Sequence, residues 1–242
     1  MKTHTAQDLI LERLLRAQSI FGRLGLRLAL AWNLLFCQCT LSFPPRVKRI
    51  FDFAASGVLI LLLAPIFLLI ALLIKLEDRG PVFFTQIRVG KFGHHFKMFK
   101  FRSMRVDAEA RLKELLAKNQ HGTGVTFKLK DDPRITRVGK ILRKISFDEL
   151  PQLFNVFLGD MSLVGPRPPV PREVALYSLA DRRRLLATPG ITCFWQVGGR
   201  AEIDFPQQVE LDVLYIEKQS FWTDLGILFK TIPAVLNGKG AY

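Results

Sequence analysis

The 242-residue chain is short of cysteine and of acid. Cys37, Cys39 and Cys193 are too few and too scattered for a disulfide framework or a four-ligand zinc site, so a reduced, cytosol-facing environment is the default. Only 21 Asp+Glu stand against 35 Lys+Arg, a formal net charge of +14. A surplus of that size attracts something anionic: nucleic acid, acidic lipid or a phosphorylated substrate. The chain has no Walker A sequence, no GxGxxG, and no His-x-x-x-His or acidic pair at helical metal-site spacing, which argues against a nucleotide-hydrolysing or zinc-dependent enzyme. It also has no internal repeat. Apolar residues are abundant, at 49% hydrophobic against 23% charged, and this excludes a disordered tail.

The apolar residues are concentrated. From Phe53 to Ile74 there is no charge, and Arg46, Lys48, Arg49 and Asp52 precede the run while Lys75, Glu77, Asp78 and Arg79 follow it. As a helix rising about 1.5 Å per residue, the run reaches roughly 33 Å, enough to cross a bilayer. Residues 1–50 carry a net charge of +6 and residues 80–242 a net of +9, so a spanning helix would put one basic flank outside, against the positive-inside tendency. Pro65, in the middle of the run, removes a helical hydrogen bond and forces a kink. A helix that enters, breaks at Ala64-Pro65 and returns satisfies both facts, and a kinked spanning helix satisfies the second. Residues 1–45 read as an amphipathic membrane-surface segment. Arg13, Arg16, Arg23 and Arg27 share one side of a helical wheel, with Leu14, Phe21, Leu24 and Leu28 on the others.

Beyond Gly80-Pro81, Val82–Val89 and Phe96–Phe101 read as a β-hairpin turning at Gly90–Gly93, with His94-His95 facing solvent. Asp107 to Lys118 looks helical, and Gln120 to Gly124 reads as a mobile loop. Asp132-Pro133 has the form of a helix start, followed by an apolar face of Ile135, Val138, Ile141, Leu142 and Ile145 opposed by Arg134, Arg137, Lys140, Arg143 and Lys144. A second helix opens at Ser146-Phe147-Asp148-Glu149 and runs to about Leu158, and a last one, Phe221 to Leu236, is apolar enough to graze the membrane. The expected architecture is α+β and helix-dominated, with a helical catalytic part and a small hairpin.

Three stretches could carry chemistry. Ser146-x-x-Glu149 fits a capping box, with Asp148 complementing the helix dipole. The same geometry holds a carboxylate ionised at a helix N-terminus near Arg143, as a nucleophile attacking phosphorus requires. Gly165-Pro166-Arg167-Pro168 presents one arginine between prolines, either as a rigid solvated turn or as a preorganised grip on phosphate. Thr188–Thr192, followed by Phe194, Trp195 and Gly198-Gly199-Arg200, fits a base-stacking, phosphate-holding loop and fits a packed corner equally well.

In order along the chain, Lys48-Arg49-Ile50-Phe51-Asp52, Gly80-Pro81-Val82-Phe83-Phe84, Lys100–Met104, Asp148–Asn155, Gly159–Pro168 and Pro189–Thr192 resemble the monotopic phosphoglycosyl transferases, also called bacterial sugar transferases or polyprenyl glycosylphosphotransferases. The match covers about four-fifths of the chain and is closest to the exopolysaccharide branch. The resemblance implies transfer of a phosphosugar from a UDP-sugar to polyprenyl phosphate, with release of UMP, at the cytosolic face of the bacterial inner membrane. Asp148 would be the nucleophile that forms a covalent phosphosugar intermediate and holds Mg2+, with Glu149 supporting it. Arg143 and Arg167 would grip phosphate, and Arg200 would contact the nucleotide sugar. The resemblance also implies a re-entrant membrane helix at 46–79 broken at Pro65, a cytosolic-face catalytic domain at 80–242, membrane lipids as partners, room for a homodimer, and no nucleic acid. Two residues depart from the pattern: Ala64 stands where serine is common, and Thr188 where a basic residue is. A basic membrane-anchored scaffold without catalysis would explain the charge and the apolar run, but not an arginine fixed between prolines near an Asp-Glu turn.

Overall fold

The computed structural model describes residues 24–25, 27–28, 44–108, 132–199 and 203–237, with side chains as far as 235. The N-terminal amphipathic segment apart from residues 24–25, 27–28 and 44–45, the expected helix from Asp107 to Lys118 beyond its first two residues, the Gln120–Gly124 loop and Arg200 lie outside the described residues.

A 34-residue helix, α1 (Pro45–Asp78), opens the fold. Pro44 and Pro45 start it, where a missing N–H costs nothing, and Arg79 ends it in a left-handed conformation whose amide caps Lys75 O. The helix continues through Pro65, so the expected break is not a break in helical structure. Pro65 lies on the exposed side of α1. One stripe at helical spacing faces the rest of the protein: Lys48, Asp52 and Ser56 are buried near one end and Ile70 and Ile74 near the other, with Ile60, Leu63, Ile66 and Phe67 packed between them. The opposite face is apolar and bare, with Leu61, Leu62 and Leu68 at 77%, 69% and 73% exposure.

Next comes the hairpin, β1 (Phe83–Val89) and β2 (His95–Phe101), antiparallel from Phe83↔Phe101 to Val89↔His95 around a short 3-10 turn at Lys91–Gly93. Because side chains alternate along a strand, Gln86 and Arg88 share a face with Met98 and Lys100. Helix α2 (Arg137–Lys144) starts later than expected. The Asp132 carboxylate accepts from Arg134 N at 3.0 Å and grips the Arg134 guanidinium, forming a local turn in place of a helix cap. The α2 cap is Thr136, which accepts from Gly139 N at 2.9 Å, and Glu77 accepts from Arg137 N at 2.7 Å. Leu142 is buried and Val138 packs beside it, but Ile141 is 63% exposed, so the expected apolar face is only half used.

A 3-10 turn at Phe147–Glu149 precedes α3 (Gln152–Leu158). Then follow β3 (Ser162–Val164), α4 (Pro171–Val174), a 3-10 segment at Asp181–Leu186, β4 (Gly190–Thr192), α5 (Phe194–Gly198), α6 (Phe205–Glu217) and α7 (Phe221–Asn237). The short parallel pair β3–β4 was not expected from sequence. It brings Gly165 and Gly190 so close that a Cβ on Gly165 would meet Thr188 O at 2.4 Å, and one on Gly190 would meet Gly165 N at 2.0 Å. That contact accounts for a glycine in each of the two Pro-flanked runs. The main core gathers Phe96, Met98, Leu153, Val156, Met161, Leu163, Val164, Tyr215 and Ile227 beneath α1.

Candidate active site

The site is built where the hairpin, the Phe147–Glu149 turn and the β3–α4 loop meet. Asn155, wholly buried on α3, extends the ladder of β2: its Oδ1 accepts from Phe99 N at 2.9 Å and its Nδ2 donates to Lys97 O at 2.7 Å. That double bond sets α3, and the turn before it, against the strand carrying Lys100. Ser146 adopts φ 57°, a left-handed conformation unusual for a side chain with a Cβ, and redirects the chain out of α2 into the turn. The expected capping box does not form: Ser146 makes no side-chain cap, and Glu149 turns instead to Lys100, whose Nζ donates to Glu149 Oε1 at 2.6 Å. Bonding an ammonium group outweighs bonding a backbone amide.

Asp148 is buried, and Lys100 Nζ stands 3.9 Å from its Oδ2. Burial pushes the Asp148 carboxyl up to about 6; Glu149 adds to this, while Lys100 and Arg143 oppose it. Burial also works against the Glu149 carboxylate, but Lys100, and then Arg167 and Arg88, more than offset it and hold its pKa below the usual range. The pair therefore differentiates: Glu149 is a fixed anion, and Asp148 is an anion held at a cost.

Beside them opens a small cleft lined by Arg88, Lys100, Glu149, Gln152, Arg167 and Gln196 among others. Arg167 is half-buried and also lines a second small cleft, with Glu173, Tyr177, Arg184, Phe205 and Gln208. Phe194 meets Tyr215 edge-on in the core and Trp195 is buried, so these two rings are packed as a corner, while Gly190, Ile191 and Gln196 of the same stretch line the cleft. Arg167 is thus brought to Glu149 across the cleft, and Arg143, at the end of α2, bears on Asp148. Sequence reasoning missed Arg88 and gave Lys100 no role. The shared face of Gln86, Arg88, Met98 and Lys100 in an already recognised hairpin was the signal for both.

A family model described as bacterial sugar transferase matches residues 43–238. The chain belongs to that family. Among the bacterial sugar transferases it is similar to, the galactosyl transferase CpsE of Streptococcus agalactiae is 50% identical over 197 residues, 80% of this chain and 43% of that protein. The exopolysaccharide production protein ExoY of Rhizobium meliloti is 44% identical over 198 residues, 81% of this chain and 88% of that protein. The undecaprenyl-phosphate galactose phosphotransferase of Salmonella typhimurium is 46% identical over 200 residues, 81% of this chain and 42% of that protein. The chain thus spans less than half the length of CpsE and of the Salmonella relative.

A magnesium ion is a fitting guest for this donor set. Among the described residues no three His, Cys, Asp or Glu side chains converge. Mg2+, however, is commonly held by one or two carboxylates together with substrate phosphates. Asp148, buried with its pKa raised, is a carboxylate that a divalent cation would relieve.

Proposed function

We propose that the protein transfers a phosphosugar from a UDP-sugar to undecaprenyl or a related polyprenyl phosphate, releasing UMP, at the cytosolic face of the bacterial inner membrane. The observation that carries this reading is the buried Asp148 beside the Lys100–Glu149 pair at the edge of an arginine-lined cleft, in a chain of the bacterial sugar transferase family. An Asp148 oxygen attacks the phosphorus bearing the sugar. The bond from that phosphorus to the bridging oxygen breaks, and UMP departs with the electron pair. A phosphate oxygen of the polyprenyl acceptor then attacks the aspartyl phosphosugar and frees Asp148. A carboxylate with a pKa near 6 is ionised at neutral pH yet poorly solvated, which favours attack. Glu149 holds Lys100 against the site, while Arg143 and Arg167 draw the donor's phosphates. Mg2+, held by Asp148 and the donor's diphosphate, would neutralise charge on the phosphates when bound.

The lipid substrate demands a membrane-facing site, and α1 supports one. Its buried stripe runs the whole length of the helix against a single body, so both ends stay with that body. Its outer face, exposed and apolar, then lies in lipid as a re-entrant element with both basic flanks cytosolic. Trp222, Phe229 and Ile232 of α7 add to the exposed apolar surface.

The reading is tested with detergent-purified protein, radiolabelled UDP-sugars and undecaprenyl phosphate. Label enters the lipid fraction with the wild-type chain. No transfer from UDP-glucose, UDP-galactose or their N-acetylated forms would return the scaffold reading.

A further inference from the structure

Arg88 is a buried cation that the reaction above does not use. It is 7% exposed, and no carboxylate among the described residues pairs with it. Its Nη1 donates to Pro168 O at 2.9 Å and its Nη2 to Gln86 Oε1 at 2.8 Å, while Nε finds no acceptor. A guanidinium has five N–H donors, so most of this one's capacity is unspent inside the protein. The neighbouring cation is Arg167, one residue before the proline that Arg88 holds, and burial together with the Arg167 charge pulls the Arg88 pKa down to about 10. Glu173 and Glu149 act on Arg88 in the opposite sense but form no ion pair with it, so a buried guanidinium with unspent donors beside a second arginine favours an anion that joins the two. Both arginines line the cleft that holds Lys100 and Glu149.

Arg88, Arg167 and Lys100 line the cleft around Glu149, the residue that follows Asp148. A diphosphate with one phosphorus at Asp148 would therefore have its other phosphorus toward Arg88 and Arg167. We propose that Arg88 is a second phosphate-binding arginine, which with Arg167 clamps the phosphate that departs as the nucleoside monophosphate. Its bond to Pro168 O fixes the loop bearing Arg167, so each arginine holds the other's position. Only the identity of the phosphate rests on the proposed reaction; an anion site formed by these two arginines does not.

The test measures UMP and inorganic pyrophosphate binding to the full chain in nanodiscs at fixed magnesium, for the wild type, Arg88→Gln, Arg88→Lys, Arg167→Gln and the double variant. Arg88→Gln is expected to weaken UMP binding about tenfold or more and to flatten its salt dependence. Arg88→Lys should restore part of the affinity and all of the salt slope, and the double variant should bind more weakly than either glutamine variant. Unchanged UMP affinity in folded Arg88→Gln would overturn the proposal. So would a double variant no weaker than Arg167→Gln alone, since Arg88 would then act only through the loop. If pyrophosphate binding depends on Arg88 while the wild type transfers no sugar phosphate, the clamp stands and the proposed reaction fails.

Discussion

Two corners of this protein bury charge around a lysine shared by two carboxylates, and only one of them leaves a donor unmet. At the base of α1, Lys48 pairs with Asp224 and lies 3.8 Å from Asp52 Oδ2. Asp52 Oδ1 accepts from Leu163 N at 3.1 Å, and Asp224 Oδ1 accepts from Tyr215 O–H at 2.9 Å. Lys48 meets one oxygen of each carboxylate while Leu163 N and Tyr215 O–H meet the other two, and the network ties α1, β3, α6 and α7 together. At the hairpin corner Lys100 is likewise shared by two carboxylates, Glu149 and, at 3.9 Å, Asp148, but Arg88 beside it forms no ion pair among the described residues and its Nε has no acceptor. The first corner is complete without a ligand and holds the fold. The second leaves donors of Arg88 unspent beside Arg167, as a site for a phosphate should.

Mutations should separate the two. The largest effect is expected for Asp148→Asn, which should lower transfer about a thousandfold or more while the protein stays folded. Because burial raises the Asp148 pKa from an ordinary 3.8 to about 6, ionising it opposes folding above that range. Asp148→Asn should therefore raise the melting temperature at pH 7, and the gain should vanish below about pH 4, where the wild-type carboxyl is protonated folded and unfolded alike. A variant that melts lower at pH 7 would make Asp148 a structural residue. Lys48→Met should do the reverse, costing about 3–5 kcal/mol in thermal or denaturant unfolding by stranding Asp52 and Asp224. Retained stability in Lys48→Met would erase the contrast from the other side.

Lys100→Met should cut transfer about a hundredfold and move the acidic limb of the rate–pH profile above its wild-type position near pH 6, since Lys100 opposes the rise at Asp148. An unmoved limb would remove Lys100 from the site's electrostatics. Ser146→Gly is expected to have the smallest effect, stabilising the chain by up to about 1 kcal/mol by relieving the positive φ, with activity little changed.

Local pattern and long-range chemistry were unequally legible. The hairpin expected at Val82–Val89 and Phe96–Phe101 lies at Phe83–Val89 and His95–Phe101, and the last helix lies at Phe221–Asn237 against an expected Phe221–Leu236. Such elements declare themselves by period and by Gly or Pro boundaries. The Asp132 and Ser146 caps failed because a serine or acid at a chain break can bond several partners. Asp132 closes on Arg134 two residues on, and Glu149 on Lys100, which tertiary structure brings 49 residues through the sequence. The parallel β3–β4 pair was hidden by its length, three residues on each side. Asp148, Arg143 and Arg167 were found by motif. Lys100 and Arg88 needed the register that sets strand β2 against a turn 49 residues later.

The most direct test is the mass of the protein itself. After brief mixing with a UDP-sugar and no lipid acceptor, the intact chain should gain the mass of one sugar phosphate, on the peptide containing Asp148. Polyprenyl phosphate should discharge it, and Asp148→Asn should never acquire it. An adduct on another residue, or full turnover by Asp148→Asn, would contradict the account.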